Sequence, residues 1–403
     1  MNPQITSDPA TLMPVAANRD DHLLAVAQIT ADEFANGQYV DEISQQYFAT
    51  CHYDWDTTRL VLDGETLAHH WGVWSYPMRI DSAHLRVAGV GAVVTREAYR
   101  NNGLMHRAAL ASFEAMRTNG YDLSVLRGRH YAKYGYVRAW NYVTTRVKPD
   151  DIPHRELTTP YQALGPEHMD AIIDLYNATY AGFSGTAVRP TYRMLNTGDM
   201  GAHGWLDVDG TLAGYVRAVP NADTKTLQCL EATGDPDQGL AVLADLFKQD
   251  EYETLAFFTL PDQHPVLQII RRGACTVEHQ YFYHTGWQVR IVNLDSTLRK
   301  LCPLFETRLQ RSQFAQWSAT LLLDAGEQSA VLALENGTVT LSSDTSSDHA
   351  IHAGPALARL LIGSDDPGEI MQQEQITTSG QAAELMRVLF PNLRPVLSHW
   401  DEY

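Results

Sequence analysis

The chain has 403 residues, 44% of them apolar and 19% charged, and a net charge of −18. That length suggests two to four domains, and the apolar fraction is enough for substantial cores in a globular chain. The excess of acid argues against nucleic acid as a partner, because neutralising phosphates needs an excess of Lys and Arg; it is compatible with cationic small-molecule substrates.

The four cysteines (Cys51, Cys229, Cys275 and Cys302) show neither disulfide nor metal-ligand spacing. They read as buried thiols in a reducing cytoplasm, with no metal expected. The first residues carry neither the basic nor the apolar region of a signal peptide. No apolar run approaches the roughly 18–20 residues that span a bilayer.

Residues 1–18 are polar and contain proline, as a loose arm would. Residues 20–48 have helical spacing on two faces, one made by Leu23, Leu24, Val26, Ala27 and Ile29, the other by Phe34, Tyr39, Ile43 and Tyr47. Asn36-Gly37 interrupts them, so two helices joined by a turn are predicted. A hairpin follows around Asp63-Gly64, with Leu60 and Leu62 alternating before it. Residues 85–95 alternate as a long strand. The spacing of Met105, Ala109, Phe113 and Met116 predicts a helix over 103–118, stopped by Asn119-Gly120. Residues 121–126 and 136–147 read as strands, and 149–153 as a linker.

Beyond the linker the order of helix, hairpin, strand, helix and strand recurs. A helix is expected at 165–180, a hairpin around Asp209-Gly210, strands at 227–233 and 254–260, and helices at 239–249 and 266–272. This copy has no counterpart of R-N-N-G followed by Y-A-K-Y-G-Y. A third unit starts near Gln288, with strands joined by an Asn336-Gly337 turn and a final helix over 379–389. The expected divisions are 1–150, 151–287 and 288–403.

The chemistry concentrates between Val90 and Tyr136. A strand runs into R-N-N-G, a helix opens, a second strand follows, and then comes H-Y-A-K-Y-G-Y. The first turn of a helix leaves about four N–H groups free of the helical ladder and carries a partial positive charge. Residues 101–106 can therefore hold a phosphate. Gly103 lets the backbone approach an anion with no Cβ in the way. Arg100 either adds charge or packs beneath the loop. R-x-x-G alone is a weak signal; the strand before it and the tyrosine-rich segment after it strengthen it.

This stretch resembles the acyl-CoA site of GCN5-related N-acetyltransferases (GNAT). V-A-G-V-G-A-V-V-T-R-E-A-Y-R-N-N-G-L-M, H-Y-A-K-Y-G-Y, W-Q-V-R-I-V-N-L and an acidic, aromatic terminus narrow the resemblance to the enhanced intracellular survival (Eis) family. The resemblance implies an α/β (α+β) architecture of two tandem GNAT-type mixed-sheet domains, the second degenerate, and a C-terminal domain similar to sterol carrier proteins. It implies transfer of an acetyl group from acetyl-CoA to a primary amine in a ternary complex, the acceptor being aminoglycoside-like, polyamine-like or a lysine side chain, and a hexameric assembly. No cysteine lies in the motif to act as a nucleophile.

Carried onto this sequence, the resemblance makes Val93, Val94 and Thr95 the strand donors to acetyl-CoA. Asn101, Asn102, Gly103, Leu104, Met105 and His106 become the pyrophosphate loop. Tyr131 is the general acid that reprotonates the thiolate, and the Tyr403 α-carboxylate is the general base. Two loop arginines common in the family are replaced by Asn101 and Asn102, so Arg100 and Arg129 or Arg127 are candidate helpers. His69 and His70 sit on a strand and face opposite sides; His70 is the one expected to line the cleft. Glu33 is expected to border the acceptor pocket, with a solvated surface charge as the bland alternative. Asp401 and Glu402 would make the pocket acidic, the alternative being a frayed tail. Tyr131 could instead be a packed aromatic, and His106 reads as part of the loop rather than as a catalyst. The rival function is a non-catalytic acyl-CoA- or lipid-binding module.

Overall fold

The computed structural model describes residues 6–49, 52–191, 201–249, 252–282 and 285–402. Strand β1 (Pro14–Ala16) leads into α1 (Arg19–Phe34) and the short α2 (Val40–Ile43), which continues as a π-helical turn over Ser44–Phe48. The side chain of Asn18 caps α1 by accepting from the Asp20 and Asp21 N–H groups, and those two acids sit favourably at the positive end of the helix. β2 (Arg59–Asp63) and β3 (Thr66–Ile80) form the expected hairpin, and β4 (Ala83–Thr95) returns alongside β3. Then follow α3 (Leu104–Thr118), β5 (Leu123–Arg127) and β6 (Val137–Arg138).

The second stretch holds β7 (Tyr142–Val147), β8 (Tyr161–Ala163), α4 (Met169–Thr179), β9 (Ala202–Leu206), β10 (Leu212–Asn221), β11 (Thr226–Ala232), α5 (Pro236–Gln249), β12 (Thr254–Phe258), α6 (Pro265–Ile270) and β13 (Thr276–Gln280). The third holds β14 (Trp287–Ile291), α7 (Leu294–Gln310), β15 (Ser318–Asp324), β16 (Ser329–Glu335), β17 (Thr338–Leu341), β18 (His349–His352), α8 (Leu357–Ile362), α9 (Pro367–Gln373), β19 (Thr377–Ser379) and α10 (Ala382–Leu389).

Three sheets result, in the orders β1-β2-β3-β4-β5-β14-β6, β13-β7-β12-β11-β10-β9-β8 and β17-β16-β15-β18-β19. Each is mixed, with a single parallel pair among its described strands: β4 with β5, β11 with β12, and β15 with β18. The first two sheets repeat one plan, as the recurring element order predicted.

The sheets do not divide where the sequence units do. Residues 136–147, read from sequence as one strand, are two. β6 stays in the first sheet, while β7 crosses to the second and lies between β12 and β13. In return β14, from beyond the second unit, lies antiparallel between β5 and β6. A strand's periodicity shows which residues are buried but not which sheet buries them, so sequence cannot see this exchange. All five β14 residues are buried, and the Trp287 ring stacks on Trp140 at 5.8 Å.

The first sheet is covered on both faces. Trp71, Val73, Ala88 and Val90 pack with α3 through Ala108, Ala109 and Phe113. Leu60, Trp74 and Val94 pack with Val26 and Ile29 of α1 and with Phe48. A third core joins Met78, Leu85, Val87, Val125 and Val289 to α7 and the third sheet, so the last unit is welded to the first.

Because Trp287 is 1% exposed in the middle of that weld, Trp287→Ala is expected to cost about 3–5 kcal/mol in denaturant unfolding. A loss under about 1 kcal/mol, the size of an ordinary surface change, would mean that the crossing strand contributes little.

Candidate active site

β4 and β5 run in register from Val87↔Leu123 to Val90↔Leu126 and then part. The cause lies in β4. Its pairing with β3 passes from Gly72↔Gly91 to His70↔Val94, so Trp71 alone faces both Ala92 and Val93. This is a β-bulge, and Ala92 takes a left-handed φ of 47° to make it. A bulge bends its strand. Beyond it residues 91–95 have no partner strand on the β5 side among the described residues, leaving an open edge of backbone N–H and C=O groups. Val93, Val94 and Thr95 lie on that edge.

His70 holds the bulge. Its Nδ1 is 2.6 Å from the Ala92 carbonyl oxygen, and its Nε2 is 2.6 Å from the Tyr53 hydroxyl. A carbonyl only accepts, so Nδ1 carries the proton and Nε2 accepts from Tyr53. Burial lowers the His70 pKa to about 4 and, with the neighbouring His70, that of His69 to about 3. His69 faces the other way, as strand alternation requires, with its Nδ1 2.8 Å from Thr95 Oγ1. His70 therefore shapes the strand from behind, with both ring nitrogens engaged.

After β4 the chain makes a 3-10 turn, Glu97–Tyr99, and enters α3 through Asn101 and Gly103, both with left-handed φ (64° and 73°). No side chain caps α3. Among the described residues the backbone N–H groups of residues 101–106 donate to no other backbone group outside the helix; the first such bond is from Arg107 N–H to the Gly103 carbonyl. This is the uncapped, donor-rich start that an anion needs. The Asn102 side chain bonds the Tyr99 and Arg100 carbonyls and so serves the loop's own shape.

Arg100 donates through Nε to the Thr95 carbonyl at 3.1 Å and pairs with Glu33 at 3.1 Å, both side chains exposed, so Glu33 borders the loop as a partner of Arg100. Arg107 was not singled out from sequence. Its guanidinium donates to the Pro9, Leu12 and Asn102 carbonyls at 2.9–3.1 Å. It ties the N-terminal arm to the loop. Arg129 is exposed just past Gly128.

Tyr131 stands half-buried beyond β5, edge-on to Trp71 at 5.9 Å and to Tyr136 at 6.2 Å. Gly128 makes its seat: a Cβ there would meet the Tyr131 ring at 3.1 Å. Burial, then the nearby Tyr134, pushes the Tyr131 hydroxyl up to about 12, so it carries its proton at neutral pH. His106 stacks on Tyr134 at 5.7 Å, which fits a loop role. Three buried polar atoms on this face, His69 Nε2, Trp71 Nε1 and Tyr134 Oη, have no partner among the described residues.

The tail arrives from the far side. Asp401 is 2% exposed and held by Arg189 at 3.1 Å and by the Thr191 hydroxyl at 2.6 Å. Its carboxylate is thus committed to the second unit and does not stand free in a pocket. Glu402 comes within 3.9 Å of Arg127 at the end of β5. Burial, then the Glu402 charge, pushes the nearby Tyr142 hydroxyl up to about 12. Tyr403 and Cys51 lie outside the described residues.

The second copy has the same parallel pair. β11 leaves β12 after Cys229↔Phe257. Beyond that point the Ala232 N–H donates to Tyr180 Oη at 3.4 Å, and the Ala232 carbonyl takes His264 Nε2 at 3.0 Å. In the first copy side chains take only carbonyls past the pairing among the hydrogen bonds described, His70 Nδ1 that of Ala92 and Arg100 Nε that of Thr95.

Comparison with known proteins agrees with this geometry. Residues 18–139 match a family model described as an acetyltransferase (GNAT) domain, so the chain carries a GNAT domain there, of a class that uses acetyl-CoA. No curated protein matches the sequence. Among solved structures, a GCN5-related N-acetyltransferase from Kribbella flavida is 18% identical with a TM-score of 0.70, covering 96% of this chain and 99% of that one. A probable N-acyltransferase from Enterococcus faecalis V583 is 16% identical with a TM-score of 0.74, over 96% and 99%. Eis1 from Mycobacterium abscessus is 13% identical with a TM-score of 0.67, over 94% and 97%. At these identities the likeness is one of fold, and it extends across all three units. No described helix is long and apolar enough to cross a membrane, and no group of three or more metal-ligating side chains occurs among the described residues.

The histidines give a pH test. His69, His70 and His264 have folded pKa values near 3, 4 and 4, against 6.5 as the ordinary value. Below 6.5 the unfolded chain binds protons that the folded chain does not, so their contribution to stability is complete above pH 6.5 and falls as pH drops toward 4. His70→Asn, whose amide can still reach the Ala92 carbonyl, is expected to flatten that acid slope in unfolding measurements. It should also cost about 1–3 kcal/mol at neutral pH by removing the acceptor that Tyr53 meets at Nε2. An unchanged slope would mean that His70 titrates normally.

Proposed function

We propose that the chain is an acetyl-CoA-dependent N-acetyltransferase that acylates a primary amine by direct attack in a ternary complex. The observation that carries this is the pairing of a β4 end with no partner strand on the β5 side and an uncapped α3 start, two donor sets spaced along one strand–loop–helix. Bound there, acetyl-CoA supplies an activated acyl group; the rest falls to the chain's own residues. The backbone of Val93, Val94 and Thr95 would hold the amide-rich pantetheine arm. The N–H groups of residues 101–106, with Arg107 behind them, would hold the pyrophosphate. Tyr131 would give its hydroxyl proton to the departing thiolate, a role its raised pKa supports because the proton is present at pH 7. The amine's proton would go to the Tyr403 α-carboxylate, ionised at pH 7 with a reference pKa of about 3.3–3.7. The approach of Glu402 to Arg127 supports that assignment.

The resemblance to the Eis family further suggests polyamine-like, aminoglycoside-like or lysine acceptors, which the net charge of −18 favours, as well as a hexamer, a cytoplasmic setting and a sterol-carrier-like third unit.

The test is release of thiol from acetyl-CoA against a panel of amines. Release that requires an amine is expected; tight acetyl-CoA binding with no release for any amine would leave a binding module instead. Tyr131→Phe should lower kcat by about 10²-fold or more, the usual scale for a lost acid, with acetyl-CoA affinity little changed. An equal loss in both would make Tyr131 a packing residue.

A further inference from the structure

The face of the second sheet beside β11 and α4 holds the chain's residues 398–401. Past its last pair with β12, β11 presents Glu231, fully buried. Arg189 bridges it to the tail. Its Nη1 donates to Glu231 at 3.0 Å and Nη2 donates to the other Glu231 oxygen, while Nε donates to both Asp401 oxygens at 3.1 and 3.2 Å. Tyr215 donates to Glu231 at 3.0 Å, and the Tyr176 ring lies 3.4 Å from the guanidinium carbon. Tyr176 Oη also meets Ser398 Oγ at 2.9 Å. Trp400 packs with Ile172 and Tyr215 in the second unit's core, with Arg217 over its ring at 4.1 Å.

We propose that this face of the second unit is a socket for residues 398–401, with Arg189 and Glu231 as positioning residues that bring the tail to the end of β5 in the first unit. The inference rests on the acetyltransferase reading for its catalytic consequence, but not for the docking itself. The location supports it: Glu231 stands beyond the β11–β12 pairing, the counterpart of the opening beyond Val90↔Leu126 in the first copy. The chemistry supports it too. A buried carboxylate on the tail is stable only with a charged, hydrogen-bonded partner, and Arg189 fits both Asp401 and Glu231 with its planar fork. Asp401 is fixed by the second unit while the next residue, Glu402, reaches Arg127 of the first. One residue thus separates the anchor from the site it serves.

The experiment compares the full-length protein with Asp401→Asn and, since that change could unfold the chain, the milder Thr191→Val, which removes only the 2.6 Å hydroxyl contact to Asp401. Amide hydrogen exchange over 396–402 and steady-state kinetics are read together. Tail exchange should rise by about tenfold or more as the anchor loosens. The kcat should fall by about tenfold or more, as for a misplaced catalytic group, with KM for acetyl-CoA within about twofold. A merely structural role would instead lower the melting temperature and degrade kcat and cofactor affinity together, which would overturn the positioning role. Unchanged tail exchange in both variants would overturn the socket, and a freed tail with unchanged kcat would overturn its link to the site. If the wild-type protein releases no thiol with any amine, the acetyltransferase reading falls and takes the catalytic consequence with it, while the exchange result still decides the socket.

Discussion

The bulge at Ala92 and Val93 is the constraint from which the rest follows. Two parallel strands in register leave no backbone groups to spare. One extra residue on β4, held by the His70–Ala92 hydrogen bond, turns the strand away from β5. The turn opens an edge, and past Thr95 the same strand's loop delivers the uncapped start of α3 at Leu104. The bulge is costly because it buries a histidine that must stay neutral and puts a non-glycine residue at positive φ. Strain kept at such a place is the mark of a site rather than of a well-paired sheet.

The two copies show the alternatives side by side. Both have the parallel pair that separates at its end. In one, residues 91–95 have no partner strand on the β5 side among the described residues, with His70 and Arg100 on two of their carbonyls; in the other Tyr180 and His264 bond Ala232, and Glu231 is taken up by Arg189. The second unit presents a packed surface there. The exchanged strands β7 and β14 lock the two sheets together, so that surface keeps a fixed relation to the first site. A transferase domain accompanied by two further units makes physical sense when those units hold something in place.

Much of this was legible in the sequence, for identifiable reasons. The hairpin at Asp63-Gly64, the α3 helix with its Asn119-Gly120 stop and the repeated element order are local, and local turn chemistry and periodicity write them plainly. R-N-N-G marked the turn into α3, which the structure leaves uncapped, and Y-A-K-Y-G-Y marked the aromatic segment in which Tyr131 packs on Trp71. What stayed hidden was non-local. Nothing near Arg189 announces a carboxylate 212 positions away, and nothing in Y-V-T-T-R-V says that it pairs in another sheet. Arg107 looked like an ordinary helix residue because its partners are carbonyls, which every residue has. Arg100 carried the right charge for the loop but is matched by Glu33, a pairing set by how α1 packs.

The most direct measurement is amide hydrogen exchange across the first unit with and without acetyl-CoA. Binding at the open edge and helix start predicts slowed exchange at residues 93–95 and 101–106, with the strand end around Ala232 unaffected. Slowing confined to other regions, or none at saturating acetyl-CoA, would contradict the assignment of this strand–loop–helix as the acyl-CoA site.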